Sequence, residues 1–571
     1  GPSATTYFAS GSIATTAVPA VTLTSTGGPL SFTPSGTGGP VNISTTGGVS
    51  ANGLTFNTAG QSATVTVGNI TTNGTNAFGV LSTGGTSLTL RTGNITTTGP
   101  TSTAMDAVNQ TGNISITAGS INATGSGLRT TTTSTGTNTI VVGNAATGAA
   151  NIFASGGTVS VNTGTVSTST NGGTTLGGFG VAAQASSGNS TVRTGAVGAV
   201  NGAGIIATAS SLTGSVDVGG CPTVSTAGNN ATAVVAQTGG TGSVTVNCGV
   251  LTTTGSSSAG VTATSNGGNV LVNISSATTS GAGAFGVTAN TSGAGNVTTN
   301  AGVITTTGTG STGLFSRVGN GTIDAGYGNI TTSGIAAGGN SASALDLASA
   351  SAINLRGAGF TLSTSGAGTT AAVISGAGVI GNLGSVTTTG AGAQGAIITS
   401  TAPVNLIVGN VATTGNGVTI NAGANAVTLT TGTVTANEAG ATGTVINSTG
   451  AVTFTGGRQA ANGANALRIT GGAGPINATV AGAATTGTGT AVAITGTGPL
   501  TFVNTGSITT TGAASNGINI SGVTTAAVSC GNVSTTGANS PAVVVSAAGN
   551  TSVTCGTVTT TGTTSDAITV S

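Results

Sequence analysis

The residues able to do chemistry are few and far apart. The carboxylates are Asp106, Asp217, Asp324, Asp346, Glu438 and Asp566, every basic residue is an arginine, and there is no histidine, lysine or tryptophan. Without His or Lys, proton transfer falls to the carboxylates, and glycoside hydrolysis needs two of them facing one bond. Asp324 and Asp346 are the best-spaced pair, with Arg317 nearby. Asp106 (Met-Asp-Ala-Val) and Asp566 (Ser-Asp-Ala-Ile) align with Phe78, Gln394 and Asn516 of other repeats, which makes that position a tolerant corner. Scattered, solvated corner charges are the expectation. No catalytic or cofactor-binding residue is assigned, and the chain is not expected to be an enzyme. A net charge of +1 lacks the basic footprint of a nucleic-acid binder.

The cysteines carry a sharper signal. Cys221 precedes Gly228 by the same interval as Cys248 precedes Gly255, and Cys530 and Cys555 stand likewise before Gly537 and Gly562. If successive repeats stack as rungs, each pair occupies one position on adjacent rungs, at a Cα separation near ~5 Å that suits a disulfide. Two disulfides, Cys221–Cys248 and Cys530–Cys555, are the better reading; four buried, reduced thiols are the alternative. Closing loops of about 25 residues is worth roughly 3.5 kcal/mol in the chain-entropy model. No metal site is expected, since no His or further Cys is near. Paired cysteines favour an exported protein.

What must position these residues is a repeat. The segment G-x-[V/I]-[T/S]-T-[T/S]-G recurs at Gly93–Gly99, Gly328–Gly334, Gly384–Gly390, Gly506–Gly512, Gly531–Gly537 and Gly556–Gly562, with looser copies elsewhere. Roughly 22 copies of about 25 residues fill residues 1–571 without a compositional break, so the chain reads as one continuous array. This answers the domain-count problem of a 571-residue chain, because a solenoid grows without enlarging its core. Each copy holds three short alternating pieces, as in Val558–Thr561, Gly517–Ile520 and Ser243–Val246, which predict half-buried strands. The Gly and β-branched content disfavours helix, and Pro is too sparse and Gly too irregular for collagen. The fold class is therefore all-β, a parallel β-helix with three short strands per coil. Small inward residues such as Ala123 and Ala263 predict a cross-section too narrow for aromatics.

The surface is dominated by threonine. With the Val or Ile of the Thr segment inward, the outward residues are Thr96 and Thr98, Thr252 and Thr254, Thr305 and Thr307, Thr387 and Thr389, Thr509 and Thr511, and Thr559 and Thr561. Two such ranks would lie about 6.7 Å apart across each strand. A ranked T-x-T array resembles the ice-binding face of some β-solenoid antifreeze proteins; the plainer account is that Thr is a strong strand former. Sequons at Asn69, Asn94, Asn113, Asn329, Asn519, Asn532 and Asn550 read as a by-product of the repeat, with Asn chosen at corners for its backbone conformation. No apolar stretch is long enough to span a membrane.

The composition and the G-N-[V/I]-[T/S]-T-T-G style of coil resemble the passenger regions of bacterial autotransporters and filamentous-haemagglutinin-type surface proteins. The resemblance covers the whole chain. It implies a right-handed β-helix displayed at the outer-membrane surface of a Gram-negative cell and used for adhesion or aggregation. The partners it implies are other copies of the chain, laterally or end to end, or a host, surface or matrix polysaccharide. Gly1-Pro2-Ser3 matches the remnant of a protease-cleaved tag, and the array is expected to be a segment of something longer.

Overall fold

The computed structural model describes residues 5–9, 11–34, 39–133, 135–149, 151–168, 178–199, 201–337 and 342–571. Gly1–Ser3 lie outside the described residues. The chain divides into two compact units, Gly1–Ala284 with Thr288–Gly295, and Phe285–Val287 with Asn296–Ser571. Each is a parallel β-solenoid; together they hold about 21 turns, roughly 26 residues apart, with no helix among the described residues.

In the first unit a coil is three strands, for example Phe78–Gly85, Ser87–Arg91 and Ile95–Thr97. From Val216 onward the second and third commonly run together, as in Val216–Thr226 and, in the second unit, Ala526–Thr535. The bend between them survives as two successive outward residues in an otherwise alternating strand; in Val244–Thr253 these are Gly249 and Val250. Every ladder is parallel and nearly in register, so each side chain meets its equivalent one rung away. Ile43, Ile70, Ile95 and Ile121 form one such inward column, each at most 1% exposed.

Glycine holds the repeat together by its size. A Cβ on Gly99 would run into the Gly74 carbonyl oxygen, and one on Gly255 into that of Gly228. In the second unit Gly512, Gly537 and Gly562 each sit against the carbonyl of the closing glycine one coil earlier. Their backbone is not left-handed; the need is room for close rung-to-rung approach.

The expectation that aromatics would be excluded is wrong. Phe56, Phe454 and Phe502 are at most 1% exposed. Ala478 lies in register between Phe454 and Phe502, so a small residue on the intervening rung supplies the volume that two rings need.

Candidate functional surface

The two cysteine pairs lie side by side in their ladders. Cys221 is in register with Cys248 and Cys530 with Cys555, at Cα separations of 4.8 and 4.4 Å, and each pair is disulfide-bonded. Each bond ties one coil to the next.

The Thr segment presents one residue in, two out. Thr98, Thr254, Thr307, Thr389 and Thr511 are exposed, but Thr96, Thr252, Thr305, Thr387 and Thr509 are half-buried. Thr559 and Thr561 are both exposed. The half-buried rank is interrupted by Asn122 and Ala146 in the first unit and by Ala412, Ala460 and Ala484 in the second. The most regular rank is the buried middle residue. Thr306, Thr388, Thr510 and Thr535 are at most 3% exposed. Their hydroxyls donate to the carbonyls of Ser311, Ala393, Ser515 and Ser540 at 3.2, 2.8, 2.8 and 2.6 Å, closing the following corner. Thr72 and Thr97, in the same position, make no such bond. The middle Thr recurs more regularly than its neighbours, a signal available in the sequence that outward-facing chemistry passed over.

Asparagine acts through its side chain, which corrects the backbone explanation. Asn42 Oδ1 accepts the Asn69 N–H at 2.7 Å, Asn69 Oδ1 that of Asn94 at 2.8 Å, and Asn94 Oδ1 that of Ser120 at 2.8 Å. In the second unit Asn329, Asn410 and Asn532 do the same for Thr361, Thr433 and Thr557. The Asn residues with left-handed backbone are others: Asn76, Asn230 and Asn539. These six corner N–H groups are thus satisfied by an asparagine of the coil before them.

Four of the six acids are not scattered solvated corners but sit in ion pairs with arginines. Asp106 lies within the strand Thr103–Gln110, 6% exposed, and faces Leu81 rather than Phe78. It is also in register with Arg129, whose Nε donates to it at 2.9 Å and whose guanidinium is held above its ordinary pKa by that hydrogen bonding. Arg193 pairs with Asp217, Arg317 with Asp346 at 2.8 Å, and Arg356 with Asp324 at 2.7 Å. Arg317 also lies over the Phe315 ring, 4.2 Å from its centroid. Asp324 and Asp346 therefore answer different arginines, on strands Ile323–Tyr327 and Leu345–Ser349 of different sheets, and do not form a carboxylate pair. Asp566 is exposed, as expected of a corner. Among the described residues no group of three or more His, Cys, Asp or Glu is placed to hold a metal ion, and no helix is long and apolar enough to cross a membrane.

Comparison with known protein families, with curated proteins and with solved structures finds no match to the chain.

Proposed function

We propose that the chain is an extracellular structural β-solenoid of a bacterial cell surface, acting as an adhesin or self-associating fibre rather than an enzyme. The observation that carries this reading is the charge-free stretch between Arg468 and Asp566. Its outward columns read Asn477, Thr501, Ala527, Ser552 and Thr479, Val503, Ser529, Thr554. Such a face has hydroxyls and amides to bind with and no like charge to hold a second copy away. The two disulfides support a non-reducing compartment. The alternative of an ice- or flat-surface binder acting through the Thr ranks has less support, because one Thr of most pairs is half-buried and its rank is broken by Asn122, Ala146, Ala412, Ala460 and Ala484.

The test is association of the purified chain and of beads coated with it, followed by sedimentation and light scattering from low to high ionic strength. Lateral association that salt leaves unchanged is the expected result, since few ion pairs are available to screen. A strictly monomeric chain and dispersed beads at high concentration would defeat the fibre reading. Turnover of a polysaccharide that disappears in Asp324→Ala would replace it with an enzyme.

A further inference from the structure

Two guanidinium planes lie flat on the solenoid surface, one in each unit, and in both cases a glycine makes room for them. Arg193 is in register with Gly219 of the next rung, where a Cβ would stand 3.4 Å from Arg193 Cζ and Nη1. Arg356 is in register with Gly326 of the rung before, where a Cβ would stand 2.8 Å from Arg356 Nη2. Any side chain at Gly326 would lift the plane off the sheet, and one at Gly219 would press against it.

Each plane is pinned at its edges. Arg193 holds the Asp217 carboxylate with Nη2, while Nη1 donates to the carbonyls of Val192 at 3.0 Å and Asp217 at 3.2 Å. Arg356 donates from Nε to Asp324 at 2.7 Å and from Nη2 to Asn300 Oδ1 at 2.8 Å and the Thr299 carbonyl at 3.3 Å. Asn354 Nδ2 reaches the same Asp324 oxygen at 3.0 Å. The two arginine side chains remain 42% and 43% exposed, so their outer faces meet solvent.

The neighbours in register repeat as well. Asn162, Asn247 and Asn273 share the column of Arg193, and Asn300 and Asn382 that of Arg356. Beside Arg356 the surface dips into a groove of about 450 Å³ bordered by Leu355, Gly381, Asn382, Asn405 and Ile407. Ile380 and Ile407 stand 45% and 48% exposed on outward positions that most other coils fill with Thr, Ser or Asn. An ion pair formed for stability alone needs neither the paired glycines nor two bared isoleucines, and exposed pairs contribute only about 0–1 kcal/mol.

We propose that the Arg356 groove binds a neutral glycan, and that the Arg193 plane in the other unit is a separate, weaker site of the same kind. A flat, edge-pinned guanidinium offers its face to the C–H side of a pyranose ring, as it does to aromatic faces. Carboxamides and the half-exposed carboxylates flank it with donors and acceptors for sugar hydroxyls, and the exposed Ile380 and Ile407 offer apolar surface to the ring edge. The ligand is neutral because each arginine already has its counter-ion. This deepens the adhesin reading and rests on it.

The test is affinity electrophoresis of the whole chain through gels containing dextran, laminarin or galactomannan, with polygalacturonate as the anionic comparison. Retardation by at least one neutral polymer is expected. Arg356→Ala should weaken it about tenfold, the equivalent of losing one guanidinium face-stacking contact. Gly326→Val, which keeps the arginine but displaces its plane, should do the same, while Thr453→Ala, at an exposed position on the strand Val452–Gly463 outside the groove, should leave binding unchanged. Unaltered strand content by circular dichroism and intact disulfides establish that each variant is folded. No retardation in any neutral gel, retention undiminished in the Arg193→Ala/Arg356→Ala double variant, or binding to polygalacturonate alone would overturn the proposal. Bead aggregation that persists while glycan binding fails would remove this inference and leave the fibre reading standing.

Discussion

Gly537→Ala is the most revealing single substitution. Gly537 lies against the carbonyl of Gly512 one coil earlier, and a methyl group there lands on that oxygen far inside contact distance. The same oxygen accepts the Ser540 hydroxyl at 2.9 Å, so the methyl also competes with an existing bond. A backbone oxygen has no rotamer in which to escape; relief requires one rung to move by on the order of 1 Å against the next. The bonds beside the corner, Thr536 N–H to Thr510 at 3.1 Å and Thr561 N–H to Thr535 at 3.0 Å, would then stretch past useful length. Two net hydrogen bonds at about 1 kcal/mol each, with residual strain, put the cost near 3 kcal/mol. Coils of a solenoid open locally, so the assay is hydrogen–deuterium exchange of peptides from residues 510–565. The expected loss of protection is about a hundredfold there and negligible far away. Gly198→Ala is the control, because a Cβ at Gly198 meets nothing within 4 Å; it should stay within about 0.5 kcal/mol of the parent. Equal protection in the two variants would show that close approach is not why the repeat keeps this glycine.

Non-reducing peptide mapping should join Cys221 to Cys248 and Cys530 to Cys555, and Cys530→Ala/Cys555→Ala should cost about 3.5 kcal/mol for its loop; any crossed pairing would break the register assigned to both ladders. Tyr327 is buried, donates its hydroxyl to the Leu383 carbonyl at 3.2 Å, and has its phenol pushed above the usual value of 10.0 by desolvation. Its folded pKa being the higher, its contribution is whole below about pH 10 and falls as pH rises beyond that, so alkaline unfolding in coils near residue 327 should be blunted in Tyr327→Phe. Thr428 and Thr453 are exposed and in register. Thr428→Glu/Thr453→Glu should be less stable than Thr428→Glu/Thr453→Arg by about 1–2 kcal/mol at low salt, the gap closing as salt is added; identical melting of the two would refute electrostatic control of the columns.

Much of the architecture was legible because stacking writes itself into sequence twice. Period-two alternation says which residues face inward, and the closing glycines and cysteines say which residue lies above which. Those two marks gave the strands, the repeat length and both cysteine pairs. Neighbours across rungs were harder wherever a coil bulges or lacks a marker. Placing Asp106 over Phe78 also places Val108 over Val80, whereas the structure puts Met105 there, and the ladder shifts register between Ala107 and Gln110. The buried phenylalanines were hidden for a related reason: room for Phe454 and Phe502 comes from Ala478 between them, a volume relation that no single coil displays. The Arg–Asp pairs and the guanidinium planes over Gly219 and Gly326 likewise exist only once two rungs are laid together.

The scarcity of charge follows from the same stacking. In a parallel, in-register array a side chain in the repeated template stands over its own copies, one strand spacing of about 4.8 Å apart. Like charges at that distance repel by about 0.9 kcal/mol even at the dielectric of water, and the cost recurs at every rung. Thr, Ser and Asn carry no such penalty, and each can accept from one neighbour and donate to another. Serine shows both roles in one ladder: Ser540 donates its hydroxyl to the Gly512 carbonyl at 2.9 Å, accepts the Ser515 N–H at 3.0 Å, and donates its own N–H to Ser565 at 2.9 Å. A single charge between neutral rungs escapes that repulsion, as Arg91 does between Thr66 and Thr117, and four of the six acids have an arginine on an adjacent rung. Neutrality is thus imposed by the ladder, and a surface built under that constraint has hydroxyls, amides and internally compensated ion pairs with which to recognise a partner. That is the chemistry of a neutral, hydroxyl-rich ligand or of a second face like itself.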